Sequence, residues 1–345
     1  MTLLRSLVAL LVAAPAAAQL PTLTRVGEIG CSDCATPARF ATIMDVAATD
    51  SGGVLVVGSE EPTLRMFDRS GKILWTAGRN GTGPGEYRLA MKAAIGARGI
   101  QVVDMTLRRI TRLDQGGGTV GSNSLNGFAS AVGAKGRTGE MVVLLDDFRG
   151  TFTLQRWGTT DSGMVVGTVP RSAAAQTGKL TIPSIAVDPS GRLAVLRDPD
   201  EYRILRMSAD GQVVGELVRD IARVKRTPAE LAAMERRQTA SRERMNTERG
   251  RSGASPPVFR PPADDLKPHV AINGLRYDDS GRLWAKTMRG NESSTVFDLF
   301  AADGRYLGEV RIPAAIGTFS IAGRWFVADV ESEDGTPRIG IWQLR

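Results

Sequence analysis

Residues 50–57 read D-S-G-G-V-L-V-V. The layout returns as D-P-S-G-R-L-A-V-L over 188–196 and as D-D-S-G-R-L-W-A over 278–285. In each stretch an Asp opens a turn by bonding its own backbone, and a Gly supplies the positive φ that the reversal needs. The apolar run that follows reads as a buried strand. A second turn comes roughly 15 to 25 residues later, within ordinary strand-plus-turn spacing. It appears as Asp68-Arg69-Ser70-Gly71, Asp210-Gly211 and Asp303-Gly304, each followed by another strand (I-L-W-T-A-G, V-V-G-E-L, Y-L-G-E-V).

A third recurrence lies between the two turns. An acid stands five positions before an Arg that is followed by Ile or Met: Glu60 and Arg65, Asp104 and Arg109, Asp198 and Arg203, Glu333 and Arg338. The spacing predicts an acid ending one strand and an Arg starting the next, paired across the hairpin. Exposed pairs of this kind contribute about 0–1 kcal/mol, so their expected role is register. A ligand-binding ring of these residues is the functional alternative.

Together the marks divide the chain into six units, at 41–78, 92–122, 127–169, 182–219, 270–312 and 315–343. The third lacks the Arg, and the fifth lacks the acid–Arg pair. Four short strands per unit is the size of a propeller blade, which needs a neighbour on each side to bury its faces. The last unit ends I-G-I-W-Q-L with no room for a fourth strand. Leu23–Ile29 reads as a strand ahead of the first unit and is expected to supply it, which closes the ring and removes an open edge. The predicted fold is all-β: a six-bladed β-propeller closed by an N-terminal strand, with a helical insertion between blades 4 and 5.

The stretch from Arg65 to Tyr87, R-M-F-D-R-S-G-K-I-L-W-T-A-G-R-N-G-T-G-P-G-E-Y, resembles the NHL repeat. The matching features are Glu60, Arg65-Met66, Phe67-Asp68 and the Gly-rich run Gly78–Tyr87. The chain is similar to secreted bacterial six-bladed propellers of the NHL- and TolB-like group, with blades 1, 2 and 4 matching well. The resemblance implies the fold. It does not imply one activity, because this fold hosts binding modules, lyases and lactonases. The Gly81–Gly85 run lacks the Lys-Ser/Thr and following helix of a phosphate loop and reads as a crossover between blades.

The chain has 345 residues, a formal charge of +7, a pI near 9.8, two cysteines and one histidine. A single histidine excludes sites built from two or more imidazoles, which covers most catalytic zinc centres. Residues 1–18 carry Arg5, an apolar run from Leu7 to Ala14, Pro15 and then Ala16-Ala17-Ala18. That is the layout of a secretory signal peptide cleaved near Ala18. The run is too short for a membrane span, which takes about 20 residues. The expected mature chain is 19–345, secreted or periplasmic, with no membrane span and monomeric.

The pattern breaks over 220–268. Thr227-Pro228-Ala229-Glu230 is a helix start with a capping box, and a helix is predicted from Pro228 to about Arg249, stopped by Gly250. Leu231, Met234, Gln238, Ser241 and Met245 share its thin apolar face. A Pro-rich return follows. Residues 223–251 hold nine Lys/Arg and four Glu, a net of +5. The basic pI therefore belongs to the insert rather than to the propeller. The insert reads either as a solvated helix over one mouth of the ring or as a docking surface centred on Arg236, Arg237, Arg242 and Arg244.

Few residues suggest chemistry. Cys31 and Cys34, in C-S-D-C, read as a structural disulfide in an oxidising compartment, with a redox pair or free or metal-bound thiols as alternatives. His269 reads as a packing residue. Acids gather where strands turn: Glu60 and Glu61, Asp146 and Asp147, Asp198 and Asp200, Glu331, Glu333 and Asp334. If several met in the central channel they would suit calcium, and a lactonase or esterase would use that metal to polarise a carbonyl. The first expectation is nevertheless a binding or scaffold protein without a cofactor. It would present one propeller face to a protein, peptide or glycan, and would not bind nucleic acid.

Overall fold

The computed structural model describes residues 20–31, 33, 38–135, 138–158, 163–176, 181–232, 235, 265–331 and 336–345. Six four-stranded antiparallel sheets form the blades. Blade 1 runs Ile43–Ala48, Val54–Gly58, Leu64–Phe67 and Ile73–Ala77; blade 2 runs from Ala90–Gly96 to Thr119–Ser124. Blade 3 runs from Phe128–Ala134 to Gly163–Pro170, blade 4 from Ser184–Val187 to Val213–Val218, and blade 5 from Val270–Tyr277 to Tyr306–Ile312. Blade 6 takes Ile316–Ala322, Trp325–Glu331 and Pro337–Leu344 from the chain's end, and Leu23–Ile29 from its beginning. The innermost strands touch in chain order, and that of blade 6 returns to blade 1.

The closing strand is well specified. It pairs antiparallel with the last strand from Leu23 opposite Leu344 to Ile29 opposite Ile339. Thr22 and Arg345 then exchange two backbone hydrogen bonds of 3.0 Å.

Each blade is buried on both faces by its neighbours, which explains why second strands such as Val54–Gly58 are buried at every residue. Such strands read as continuous apolar runs rather than alternating ones. Between blades 5 and 6 the filling is aromatic: Trp284, Phe297, Phe319, Phe326 and Trp342 pack together, with the Phe297 and Phe319 rings 5.0 Å apart. Burying one such ring contributes about 1.5–3 kcal/mol.

Alternating strand directions give the ring two different faces. The lower face carries the tight turns. Asp188 Oδ1 accepts from Ser190 N and Arg192 N, each at 2.8 Å, while Gly191 takes φ +90°. Asp278 does the same for Ser280 and Arg282. In blade 1 the turn starts one residue earlier than its Asp suggested: Gly52 N donates to Thr49 O, and Thr49 Oγ1 takes the capping position beside Ser51. Thr is the short oxygen-bearing residue that can replace Asp there.

The upper face carries the longer connections, including the Cys31 loop, the Gly-rich run and the insertion. A one-turn helix, Ala173–Gln176, capped by Ser172, joins blades 3 and 4 and was not anticipated. The insertion starts as expected. Thr227 N donates to Glu230 Oε2 at 2.8 Å, and Glu230 N donates to Thr227 Oγ1 at 3.2 Å. Residues 228–232 are helical. Residue 235 is helical as well, and the rest of the expected helix, including Arg236, Arg237, Arg242 and Arg244, lies outside the described residues. No helix among the described residues is long and apolar enough to cross a membrane.

Candidate functional site

The described residues of the four acid–Arg spacings lie toward the upper face, at or beside the loop between second and third strands, but the arginines take different partners. Arg65, fully buried, donates to Glu60 Oε1 at 2.6 Å across its hairpin. Burial pushes the Glu60 carboxyl up, but the Arg65 bond and the Ala41 amide outweigh it and hold the group below its ordinary range. Arg109 lies opposite Asp104 in register, yet its guanidinium reaches into the Gly-rich loop and donates to the carbonyls of Thr82, Gly83 and Glu86. Asp104 instead accepts from the amides of Arg88, Leu89 and Leu107. Blade 2 thus uses the same two residues to fix the loop arriving from blade 1. Arg203 pairs with Glu216 on the outermost strand, and Asp198 accepts from Asp200 N at 3.0 Å. Arg338 reaches Glu28 on the closing strand at 2.8 Å, and Glu333 lies outside the described residues. An Arg starting the third strand can reach either neighbouring strand or the loop above, so five-residue spacing alone does not select the acid.

Cys31 is disulfide-bonded; Cys34 lies outside the described residues. His269 enters blade 5 with its backbone N–H on Pro199 O at 2.8 Å and its ring 6.0 Å from Tyr202. Burial, then the neighbouring Arg223, lowers its pKa.

The ring axis holds a charged network that the motifs did not reveal. Asp45, from the innermost strand of blade 1, is 1% exposed. Its Oδ1 accepts from Lys92 Nζ of blade 2 at 2.7 Å and from Thr318 Oγ1 of blade 6 at 3.0 Å. Its Oδ2 accepts from Ala93 N at 3.0 Å. Arg276 of blade 5, two blades away around the ring, brings Nη2 to 3.8 Å from the same Oδ1. Arg276 also donates to the carbonyls of Phe319, Asn273 and Leu275. Nearby Lys286 donates to Ile316 O and Gly317 O on the innermost strand of blade 6. Burial first, then repulsion from Arg276, lowers both Lys92 and Lys286 to about 8. The sequence signal was faint. Asp45 and Lys92 are each the third residue of an innermost strand, set in otherwise apolar I-M-D-V-A-A and A-M-K-A-A-I.

This donor set does not fit a calcium ion, which takes six to eight oxygen ligands. Among the described residues, no three His, Cys, Asp or Glu side chains gather to hold a metal ion. The turn acids have other work. Glu61 accepts from Asn80 N at 2.7 Å, Asp147 Oδ1 caps Arg149 N at 2.8 Å, and Asp146 faces Arg171 at 3.8 Å. Asp200 pairs with Arg223 at 3.2 Å.

At the root of the insertion, buried Asp298 of blade 5 accepts from Arg219 at 2.6 Å, Arg289 at 2.5 Å and the Tyr202 hydroxyl at 2.6 Å. Arg223 and Arg226 bond Leu266 O from the returning leg, and Lys267 pairs with Glu230. The neck of the insertion is therefore clamped to blade 5.

The upper rim of blade 3 carries an exposed aromatic pair. Phe148 is 65% exposed and Phe128 38%, with ring centroids 5.7 Å apart. Phe148 has φ 55°, and Arg108, in the equivalent loop of blade 2, has φ 46°. Bulky residues rarely adopt this left-handed conformation, and the lower turns give it to glycine.

No protein-family model matches the chain, and no curated protein matches its sequence. Solved structures share its architecture. A member of the DUF4221 family from Bacteroides vulgatus aligns with a TM-score of 0.56 at 7% identity, covering 94% of this chain and 98% of that one. A Bacteroides fragilis protein described as exported aligns with a TM-score of 0.52 at 12% identity, covering 94% and 95%. At such identities the likeness shows the fold alone.

Proposed function

We propose that this propeller is a binding protein that works outside the cytoplasm and takes a protein or peptide partner on its upper face. The observation that carries the reading is Phe148: an exposed ring beside Phe128, held outward by a left-handed backbone. Such strain costs about 1–3 kcal/mol and clusters at binding and switch sites. Paired, solvent-facing aromatics supply the large, stiff apolar area that anchors protein interfaces.

Two features support it. At the level of Asp45 the axial side chains bond one another or the neighbouring backbone, which leaves the loops as the adaptable surface. The signal-peptide layout of residues 1–18 and the disulfide at Cys31 fit an oxidising compartment. The Glu60, Arg65-Met66 and Phe67-Asp68 pattern favours kinship with secreted NHL-like propellers.

The test is a screen of the mature chain against peptide and glycan arrays. Phe148→Ser should abolish peptide hits at least tenfold, and Arg69→Ser on the lower face should leave them intact. Hits confined to glycans, or unaffected by Phe148→Ser, would refute the reading.

A further inference from the structure

The lower face repeats one device between neighbouring blades. Arg156, on the third strand of blade 3, donates to Gly191 O at 2.9 Å and to Ala209 O at 2.8 Å, one carbonyl from each tight turn of blade 4. Arg206, on the third strand of blade 4, donates to Ala302 O and Asp303 O in the second turn of blade 5. Both arginines stand opposite the second residue of the second strand, Val142 and Ala194 respectively. A guanidinium suits this place because its planar fork serves two acceptors at once.

The seam between blades 6 and 1, where the ring closes, lacks the device. In blade 6 the same position, opposite Phe326, is Trp342, which is buried among the aromatics. Trp325 fills part of the gap. A Cβ on Gly52 would lie 2.9 Å from its ring, as one on Gly191 would lie 3.0 Å from Arg156 Nη1. An indole has a single N–H, and Trp325 gives it to Asp50 O at 3.1 Å. Among the described residues no arginine donates to Gly52 O or Arg69 O, the blade 1 counterparts of Gly191 O and Ala209 O. A cavity of about 590 Å³ opens over these turns, lined by Asp50, Asp68, Arg69, Arg324 and Trp325. Arg69 and Arg324 are exposed at its rim, and the Arg324 guanidinium lies 5.4 Å from the centroid of the Trp325 ring.

We infer that this cavity binds a small guanidino carboxylic acid, of which free arginine is the simplest probe. The ligand's guanidinium takes the role that Arg156 and Arg206 fill in the other seams, with Asp50 and Asp68 balancing its charge. Its carboxylate faces Arg69 and Arg324. Two carboxylates and two guanidiniums around one cavity suit a ligand that carries both signs better than a simple ion. The site lies on the face opposite Phe148 and takes a small molecule, so it and the upper-face reading can fail separately.

The test follows the Trp325 indole ¹⁵N–¹H resonance of the mature protein during titrations at constant ionic strength. L-arginine should shift it to saturation. Citrulline, with a neutral urea in place of the guanidinium, should give no saturable shift. Agmatine, which keeps the guanidinium and lacks the carboxylate, should bind about tenfold more weakly than arginine. Asp68→Asn keeps the acceptor of Ser70 N and Lys72 N and should weaken both arginine and agmatine. Arg324→Met should weaken arginine about tenfold without weakening agmatine. Phe148→Ser should leave arginine binding unchanged, which separates this site from the upper face. The inference is overturned by the lack of a saturable shift with arginine, by an equal response to citrulline, or by equal arginine affinity in wild type and both lower-face variants.

Discussion

Lys92 Nζ lies 2.7 Å from Asp45 Oδ1, and this bond ties the innermost strand of blade 2 to that of blade 1. Thr318 brings blade 6 to the same oxygen, and Arg276 brings blade 5 to within 3.8 Å. One carboxylate thus organises four of the six blades where they converge. Hydrophobic contact alone sets neighbouring blades at a distance. A shared charge at the centre also specifies which blades meet there and at which level along the axis.

Removing that charge while keeping its shape should be costly. Asp45→Asn leaves Lys92 and Arg276 buried without an anionic partner, and loss of one member of a buried pair costs about 3–5 kcal/mol. Urea unfolding would measure it. Adding Lys92→Met should recover part of the loss, because the double variant buries one fewer unpaired cation. Strict additivity of the two changes would mean that the residues do not interact.

Glu60 makes a pH-dependent contribution. Its folded carboxyl is held below its ordinary range by Arg65 and Ala41, despite burial. Its stabilisation is therefore fully present above the unfolded value near 4.3 and is lost as pH falls through the lower folded value. Glu60→Gln should destabilise the protein at pH 7, and the gap to wild type should close under acid. Parallel denaturation curves from pH 7 to pH 3 would show it. A gap that does not change with pH would assign the effect to shape alone.

The capping box at the insertion should act locally. Thr227→Ala removes the acceptor of the Glu230 amide, and loss of an N-cap costs about 0.5–2 kcal/mol of helix stability. Hydrogen exchange at Glu230 should accelerate. The global melting temperature should hold, because the blades do not depend on that turn.

Deleting residues 20–29 removes the outermost strand of blade 6 and bares the edge of Pro337–Leu344. Open edges invite association between chains. The truncated protein should melt at lower temperature and self-associate, which light scattering during a thermal ramp would detect. An unchanged melt would mean that the ring does not need its closing strand.

The blades were legible because turn chemistry repeats. An Asp, then Gly at positive φ, then an apolar run is a local signal; it marked blades 1, 4 and 5, and strand-like runs in the remaining units and in Leu23–Ile29 completed the ring. The capping box was equally local. The axial network was not legible, because Asp45, Lys92, Arg276 and Thr318 come from four blades and carry no shared spacing. The acid–Arg spacing fell between these cases. It placed each Arg at the start of a third strand, but Arg109 and Arg203 chose acceptors that only the packed loops and outer strands supply. Phe148 lacked a signal for another reason: D-D-F-R-G reads as an ordinary turn, and only the backbone reveals the left-handed Phe.

The most direct measurement of the central claim is site-specific photocrosslinking in the native cell envelope. A photoreactive residue in place of Phe148 or Arg108 samples the upper face, and one in place of Arg69 or Asp303 samples the lower. The account predicts one discrete crosslinked protein from both upper positions and none from the lower ones, and predicts that excess unlabelled protein competes it away. Crosslinks from the lower face alone, or equally from both faces, would contradict it.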